Sequence, residues 1–104
     1  MTNTEFDLLL EETFTKLKAL LSSKGADYSS NNDRLSNFKL ASENLGISPF
    51  TVWAVYKNKH SDAINRFCRD GHLESEPIEM RILDEINYDL LLLGLLKDFE
   101  KDAK

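Results

Sequence analysis

Ser75-Glu76-Pro77-Ile78-Glu79-Met80-Arg81-Ile82-Leu83-Asp84-Glu85-Ile86-Asn87-Tyr88 is the stretch that decides the fold. Ser75 offers a hydroxyl cap and Pro77 sits in the first turn, where a missing N–H costs nothing. Apolar residues then recur at helical spacing, so the spacing predicts a last helix that runs on into Leu90–Leu96. At about 100° per residue, Ile82, Ile86, Leu90 and Leu93 define its expected buried stripe, with Leu83 nearer the polar side. Glu79 falls inside that stripe. Glu76, Met80 and Asn87 follow one line at its edge, and Asp84 lies just beyond. The helix dipole favours acids near the N-terminus and gives Glu76 and Glu79 a purely structural account. A buried Glu79 needs more: a buried carboxylate is paired, hydrogen-bonded, metal-bound or protonated. By type its partners are His60, Lys57, Arg81 and Lys39. Beyond Tyr88 the helix is apolar almost all round, so it is either central or covered by another subunit. A homo-oligomer through this helix is the expectation.

Upstream, the pattern is helical as well. Phe6, Leu9, Leu10, Phe14, Leu17, Leu20 and Leu21 make one stripe, predicting a helix from Thr4 to about Ser22 with Thr4 as cap and Asp7 as the reciprocating acid. Glu11 and Glu12 fall on its solvated side. Gly25 and a cluster of Ser, Asn and Asp make 22–32 an expected loop, in which Lys24, Asp27 and Tyr28 have chemical reach. Asn32 or Asp33 caps a second helix to Leu45, with Leu35, Phe38, Ser42 and Leu45 inward, Asn37 opposite them and Gly46 as the left-handed stop. Ser48 and Pro49 open a third helix that ends at Gly71. Val52, Trp53, Tyr56, His60, Ala63, Ile64 and Phe67 form its stripe. His60 therefore sits on an apolar, aromatic face. Such a histidine is either a core residue with one hydrogen-bond partner or the floor of a pocket, flanked by Lys57 and Lys59 and walled by Trp53 or Tyr56. Cations beside an aromatic plane suit a phosphate and a base.

The totals set outer bounds. A chain of 104 residues with 41% hydrophobic and 30% charged residues is one globular domain, spanning 1–104, of all-α class: a bundle of four main helices. The net charge of -5 argues against general nucleic-acid affinity. A single cysteine, Cys68, excludes an internal disulfide and a cysteine-based zinc cluster, and fits a reducing compartment. Met1–Asp7 has no basic segment ahead of an apolar run, so no signal peptide is expected. The purely apolar run Leu90–Leu93 is too short to span a bilayer. A cytoplasmic protein without membrane partners is the expectation.

Several motifs together resemble a known family. Lys24-x-x-Asp27-Tyr28, Asp33-Arg34-Leu35-Ser36-Asn37-Phe38, Pro49 with Val52-Trp53, Lys59-His60 with Ala63-Ile64, and the Ser75–Tyr88 block are similar to small phage-type proteins of the nucleotide-modification-associated domain 1 family. The likeness spans roughly residues 24 to 93, and the last block is its most specific part. It implies an all-helical fold and a setting in phage nucleotide metabolism or DNA-base modification, hence a host cytoplasm. A more distant likeness links the chain to MazG-like nucleotide pyrophosphohydrolases, helical oligomers that hold magnesium with an ExxE pair and a further acidic helix. Glu76-x-x-Glu79 with Asp84 resembles one such set, whereas Glu11-Glu12 lies off the buried stripe and supplies no second one.

Three expectations follow. The first is a pocket between helices three and four for a nucleotide or cyclic nucleotide: Lys57, Lys59 and His60 on phosphate, Trp53 or Tyr56 stacking, Asn37, Asp84 and Asn87 reading base or sugar. Lys24, Asp27, Tyr28 and Glu79 join the candidate ligand set. Binding there without chemistry would serve sequestration or delivery. The second is a magnesium-dependent nucleoside triphosphate pyrophosphohydrolase using Glu76, Glu79 and Asp84. The third is a helical interaction protein whose polar residues are caps and core ties.

Overall fold

The structure is a computed structural model that describes residues 1–28, 33–72 and 77–102, with the side chains of 23–28 left aside. Four helices follow one another: α1 (Asn3–Tyr28), α2 (Ser36–Leu45), α3 (Pro49–Asp70) and α4 (Ile78–Asp102). The all-α bundle expected from the sequence is the observed architecture. No helix among the described residues is long and apolar enough to cross a membrane.

Local chemistry explains most of the boundaries. Ser48 Oγ accepts from Phe50 N at 3.1 Å and Pro49 opens α3. Gly46 (φ 67°) and Gly71 (φ 80°) close α2 and α3 in the left-handed conformation, which costs glycine little. Three boundaries differ from expectation. The cap of α1 is Thr2: its Oγ1 accepts from Glu5 N at 3.1 Å and donates to Glu5 Oε1 at 3.1 Å, a hydroxyl cap two residues upstream of the expected Thr4 and Asp7. α1 also continues through 22–28, where a loop was expected. One interior glycine costs about 1 kcal/mol relative to alanine, too little to end a helix already nucleated. Finally, α2 starts at Ser36. Asp33 holds the preceding turn, accepting from Leu35 N at 2.9 Å through Oδ1.

The core lies where α2, α3 and α4 meet. Leu35, Phe38, Val52 and Leu95 are buried there, with Ala41, Phe50, Trp53, Tyr88 and Leu91 packed around them. Leu45, expected inward, is exposed beyond the end of that contact. α1 joins mainly through Leu17, its one buried large apolar residue among the described side chains.

The face of α4 that turns inward is the main correction. Asp84, Asn87 and Leu95 are buried, with Tyr88 and Leu91 half-buried. Ile82, Leu90 and Leu93 are exposed, and Ile86 is half-buried. The observed face is turned by roughly 160° from the expected stripe. Glu79 shares its side of the helix with Ile82 and is exposed like it, so it poses no buried-acid problem. The reason is polar. α4 is apolar nearly all round past Tyr88, so hydrophobicity selects no face there. Specific contacts to α3 select it instead. Trp53 Nε1 donates to the Tyr88 carbonyl at 2.6 Å, and Ser61 Oγ to Glu85 Oε1 at 2.6 Å. Lys57 Nζ stands 3.4 Å from Asp89 and 3.9 Å from Glu85, and 5.3 Å from the centre of the Trp53 ring. These pairs fix α3 and α4 as antiparallel neighbours.

Candidate functional site

Two groupings of polar side chains emerge. The first is the α3–α4 seam. His60 and Asp84 are both buried, with Nδ1 and Oδ2 4.0 Å apart, and the His60 ring lies 5.0 Å from that of Tyr88. The sequence led to a meeting of helices three and four through His60 and an acid. The helices do meet, and the acid is Asp84 rather than Glu79. Trp53 and Lys57 belong to this seam as structural ties. None of His60, Asp84, Trp53 or Lys57 lines a cavity described here.

The second grouping is a cavity of about 410 Å³ between α2, α3, α4 and the later part of α1, within the range of small-molecule sites. α2 gives it Asn37, Ala41 and Asn44 at four- and three-residue spacing, with Phe38 and Leu40 beside them. That line spans roughly 10 Å of helix. α3 contributes Tyr56 and Lys59. From α4 come Asn87, Tyr88 and Leu91, and Arg34 and Leu21 complete the wall. The rings form a continuous apolar floor: Phe38 stands 5.9 Å from Tyr56 and 6.4 Å from Tyr88, centre to centre. Tyr88 thus separates the cavity from His60.

Asn87 is the unusual member. It is 3% exposed, and its Oδ1 has no hydrogen-bond partner among the described residues. An orphaned buried acceptor costs about 1–3 kcal/mol. The charge pattern is also selective. In a chain with 18 carboxylates and 13 cationic side chains, the described lining holds Arg34, Lys59 and three carboxamides and no carboxylate. Lys39 is near Arg34 in sequence yet already committed. Its Nζ bonds Asp33 at 2.6 Å and Asp98 at 2.8 Å, which raises its pKa to about 12, chiefly through Asp33. The same bond, with help from the Leu35 N–H, holds Asp33 below the usual carboxylate range.

Of the residues proposed from sequence, Asn37, Tyr56, Lys59 and Asn87 are brought together here. Arg34, Asn44 and Tyr88 were missed as lining residues. Asn44 was legible in principle, since it repeats Asn37 on the same line of α2. The side chains of Lys24, Asp27 and Tyr28, and Glu76 altogether, lie outside the described residues. The magnesium set does not assemble from what is described: Glu79 and Asp84 leave α4 in directions roughly 140° apart. No group of three or more His, Cys, Asp or Glu among the described residues is placed to share a metal.

The chain matches no protein-family model, and no curated protein or solved structure matches it significantly. The likeness to the nucleotide-modification-associated domain 1 family rests on the quoted motifs alone.

Proposed function

We propose that the cavity between α2, α3 and α4 binds a phosphorylated nucleoside without a metal ion, as a non-catalytic binding protein. The observation that carries this is the lining: among the described residues it holds two cations, three carboxamides and an aromatic floor and no carboxylate, in a chain of net charge -5. Arg34 and Lys59 would meet the phosphate, Arg34 in the bidentate manner that guanidinium favours. Phe38, Tyr56 and Tyr88 would hold the base by apolar and edge contacts. Asn37 and Asn87 would read its polar edge, with Asn87 Oδ1 accepting an N–H from the ligand. A monophosphate is the best charge match. Its charge of about -2 equals what two cations neutralise, whereas a triphosphate would call for the metal set that these residues do not form. The family likeness supplies the setting, sequestration or delivery of a nucleotide in phage nucleotide metabolism or DNA-base modification.

The test is a melting-temperature screen over nucleosides, nucleoside mono- and triphosphates and cyclic dinucleotides, with and without magnesium, with recovery of the nucleotide afterwards. A monophosphate should raise the melting temperature, independently of magnesium, and return intact. Pyrophosphate release from a triphosphate would overturn the non-catalytic reading. No shift with any nucleotide would overturn the ligand class.

A further inference from the structure

The apolar stripe of α1 runs from Phe6 through Leu10, Phe14 and Leu17 to Leu21. Its later part is covered, with Leu17 buried and Leu20 and Leu21 half-buried, and its earlier part is not. Phe6 is 54% exposed, Leu10 43% and Phe14 55%, with Leu9 uncovered beside them. All of these fall within an arc of roughly 140°, with Leu17 near its middle. The face that docks α1 at Leu17 therefore continues past the edge of its own bundle. The dimensions agree: the radius of gyration is 15.9 Å, against about 13 Å for a compact chain of this length.

We infer that a second copy of this chain closes that face, with the two α1 helices antiparallel about a twofold axis at Leu10. The spacing is symmetric about Leu10: Phe6 lies four residues before it and Phe14 four after. An antiparallel crossing sets Phe6 on Phe14 of the partner subunit, and Leu10 on Leu10 of the partner subunit. A twofold interface demands this self-complementarity. Charge selects the same direction. Glu5, Asp7, Glu11 and Glu12 precede Lys16 and Lys18, so the antiparallel pair brings Glu5 beside Lys16 of the partner subunit. A parallel pair would stack acid on acid. Two half-exposed phenylalanines supply roughly 100 Å² each, and the leucines bring the apolar patch to roughly 400–500 Å² per chain. That is at the upper end for a patch left open on a monomer. With its polar flanks it approaches the roughly 800 Å² per partner of a standard interface. This inference stands independently of the nucleotide reading. It also moves the interface away from the C-terminal helix, where the leucine run led the sequence to place it.

The test is sedimentation equilibrium of the full chain over a range of concentrations. The wild type should dimerise. Leu10→Glu should raise the dissociation constant by about thirtyfold or more, as loss of a hot-spot side chain does, with an unchanged helical circular dichroism signal because Leu10 is exposed within its own fold. Glu5→Lys should weaken the dimer, and adding Lys16→Glu should restore it. In a Cys68→Ser background, Leu10→Cys should cross-link to itself on oxidation and Phe6→Cys should not. A monomeric wild type overturns the inference. So does a dimer indifferent to Leu10→Glu but dissociated by Leu93→Glu on α4, or self-cross-linking of Phe6→Cys, the mark of a parallel pair.

Discussion

Replacing Asn87 by leucine should stabilise the empty protein and abolish most of its ligand response. The two side chains are close in size, and Asn87 is almost fully buried with Oδ1 unpartnered among the described residues. Removing an orphaned acceptor recovers about 1–3 kcal/mol. With an unfolding entropy of about 2.1 cal/mol/K per residue, each kcal/mol moves the melting temperature of this 104-residue chain by about 5 °C. The expected rise is therefore about 5–15 °C. The ligand arm runs the other way. At one hundred times its dissociation constant a ligand adds about 2.7 kcal/mol, or about 12 °C, to the wild type. Losing a hydrogen bond that only the ligand completes should weaken binding by about 5- to 150-fold. The assay is thermal melting of both proteins with and without a nucleoside monophosphate, backed by calorimetric titration. A fall in melting temperature together with an undiminished ligand shift would refute the reasoning, because Asn87 would then be a structural tie.

Other outcomes follow from the same contacts. His60→Ala should destabilise by roughly 3 kcal/mol, since it empties the place of a buried ring packed against Tyr88, and should leave nucleotide affinity within about threefold because Tyr88 screens it from the cavity; the opposite ratio in melting and titration experiments would put His60 in the site. Trp53→Phe removes the donor to the Tyr88 carbonyl and should lower stability by about 1–3 kcal/mol in urea titration; an unchanged midpoint would count against the seam. Gly94→Ala should stabilise by about 1 kcal/mol, because among the described residues an added Cβ meets only the Leu35 methyls, at 3.5 and 3.7 Å; a lower melting temperature would mean tighter packing of α4 at that point. The Lys39 tie predicts a pH profile. Its raised pKa gives stability that is fully present below pH 10.5 and is lost as pH rises through about 12. Asp33, with a lowered pKa, gives stability present above pH 3.8 that is lost as pH falls through its folded value. Both groups are about 40% exposed, so the effect is about 0.2–1 kcal/mol. Lys39→Met should flatten both limbs, and an unaltered profile would remove the tie.

Much of the fold was legible because local signals agreed. Ser48-Pro49, Gly46 and Gly71 act through backbone geometry that no tertiary contact needs to supply, and they bound α2 and α3 where the sequence puts them. The face of α4 was not legible. Periodicity locates an apolar stripe but cannot say whether a neighbouring helix offers it a partner. Here Trp53, Ser61 and His60 on α3 offered polar groups, and Tyr88, Glu85 and Asp84 answered them. A third of the described lining was foreseen, in Asn37, Tyr56, Lys59 and Asn87. Arg34 was not, because nothing in a turn preceding a helix announces which cavity its side chain borders.

That choice of face carries the functional argument further. α4 had an apolar alternative: the stripe of Ile82, Ile86, Leu90 and Leu93 would have met the core with no orphaned acceptor. The chain instead turns Asp84 and Asn87 inward and leaves Ile82, Leu90 and Leu93 in water. Asp84 is accounted for by its place beside His60. Asn87 is not, since no described residue completes its amide and its burial costs about 1–3 kcal/mol out of a total stability of about 5–15 kcal/mol. An arrangement that gives up so much of a small margin calls for an offset elsewhere. A ligand N–H in the cavity that Asn87 borders supplies one, and it does so only when the cavity is filled. Empty, the protein should be measurably less stable than its Asn87→Leu variant; filled, it should overtake it. A crossing of the two stability curves as ligand is added is the signature that separates a binding amide from a merely awkward one.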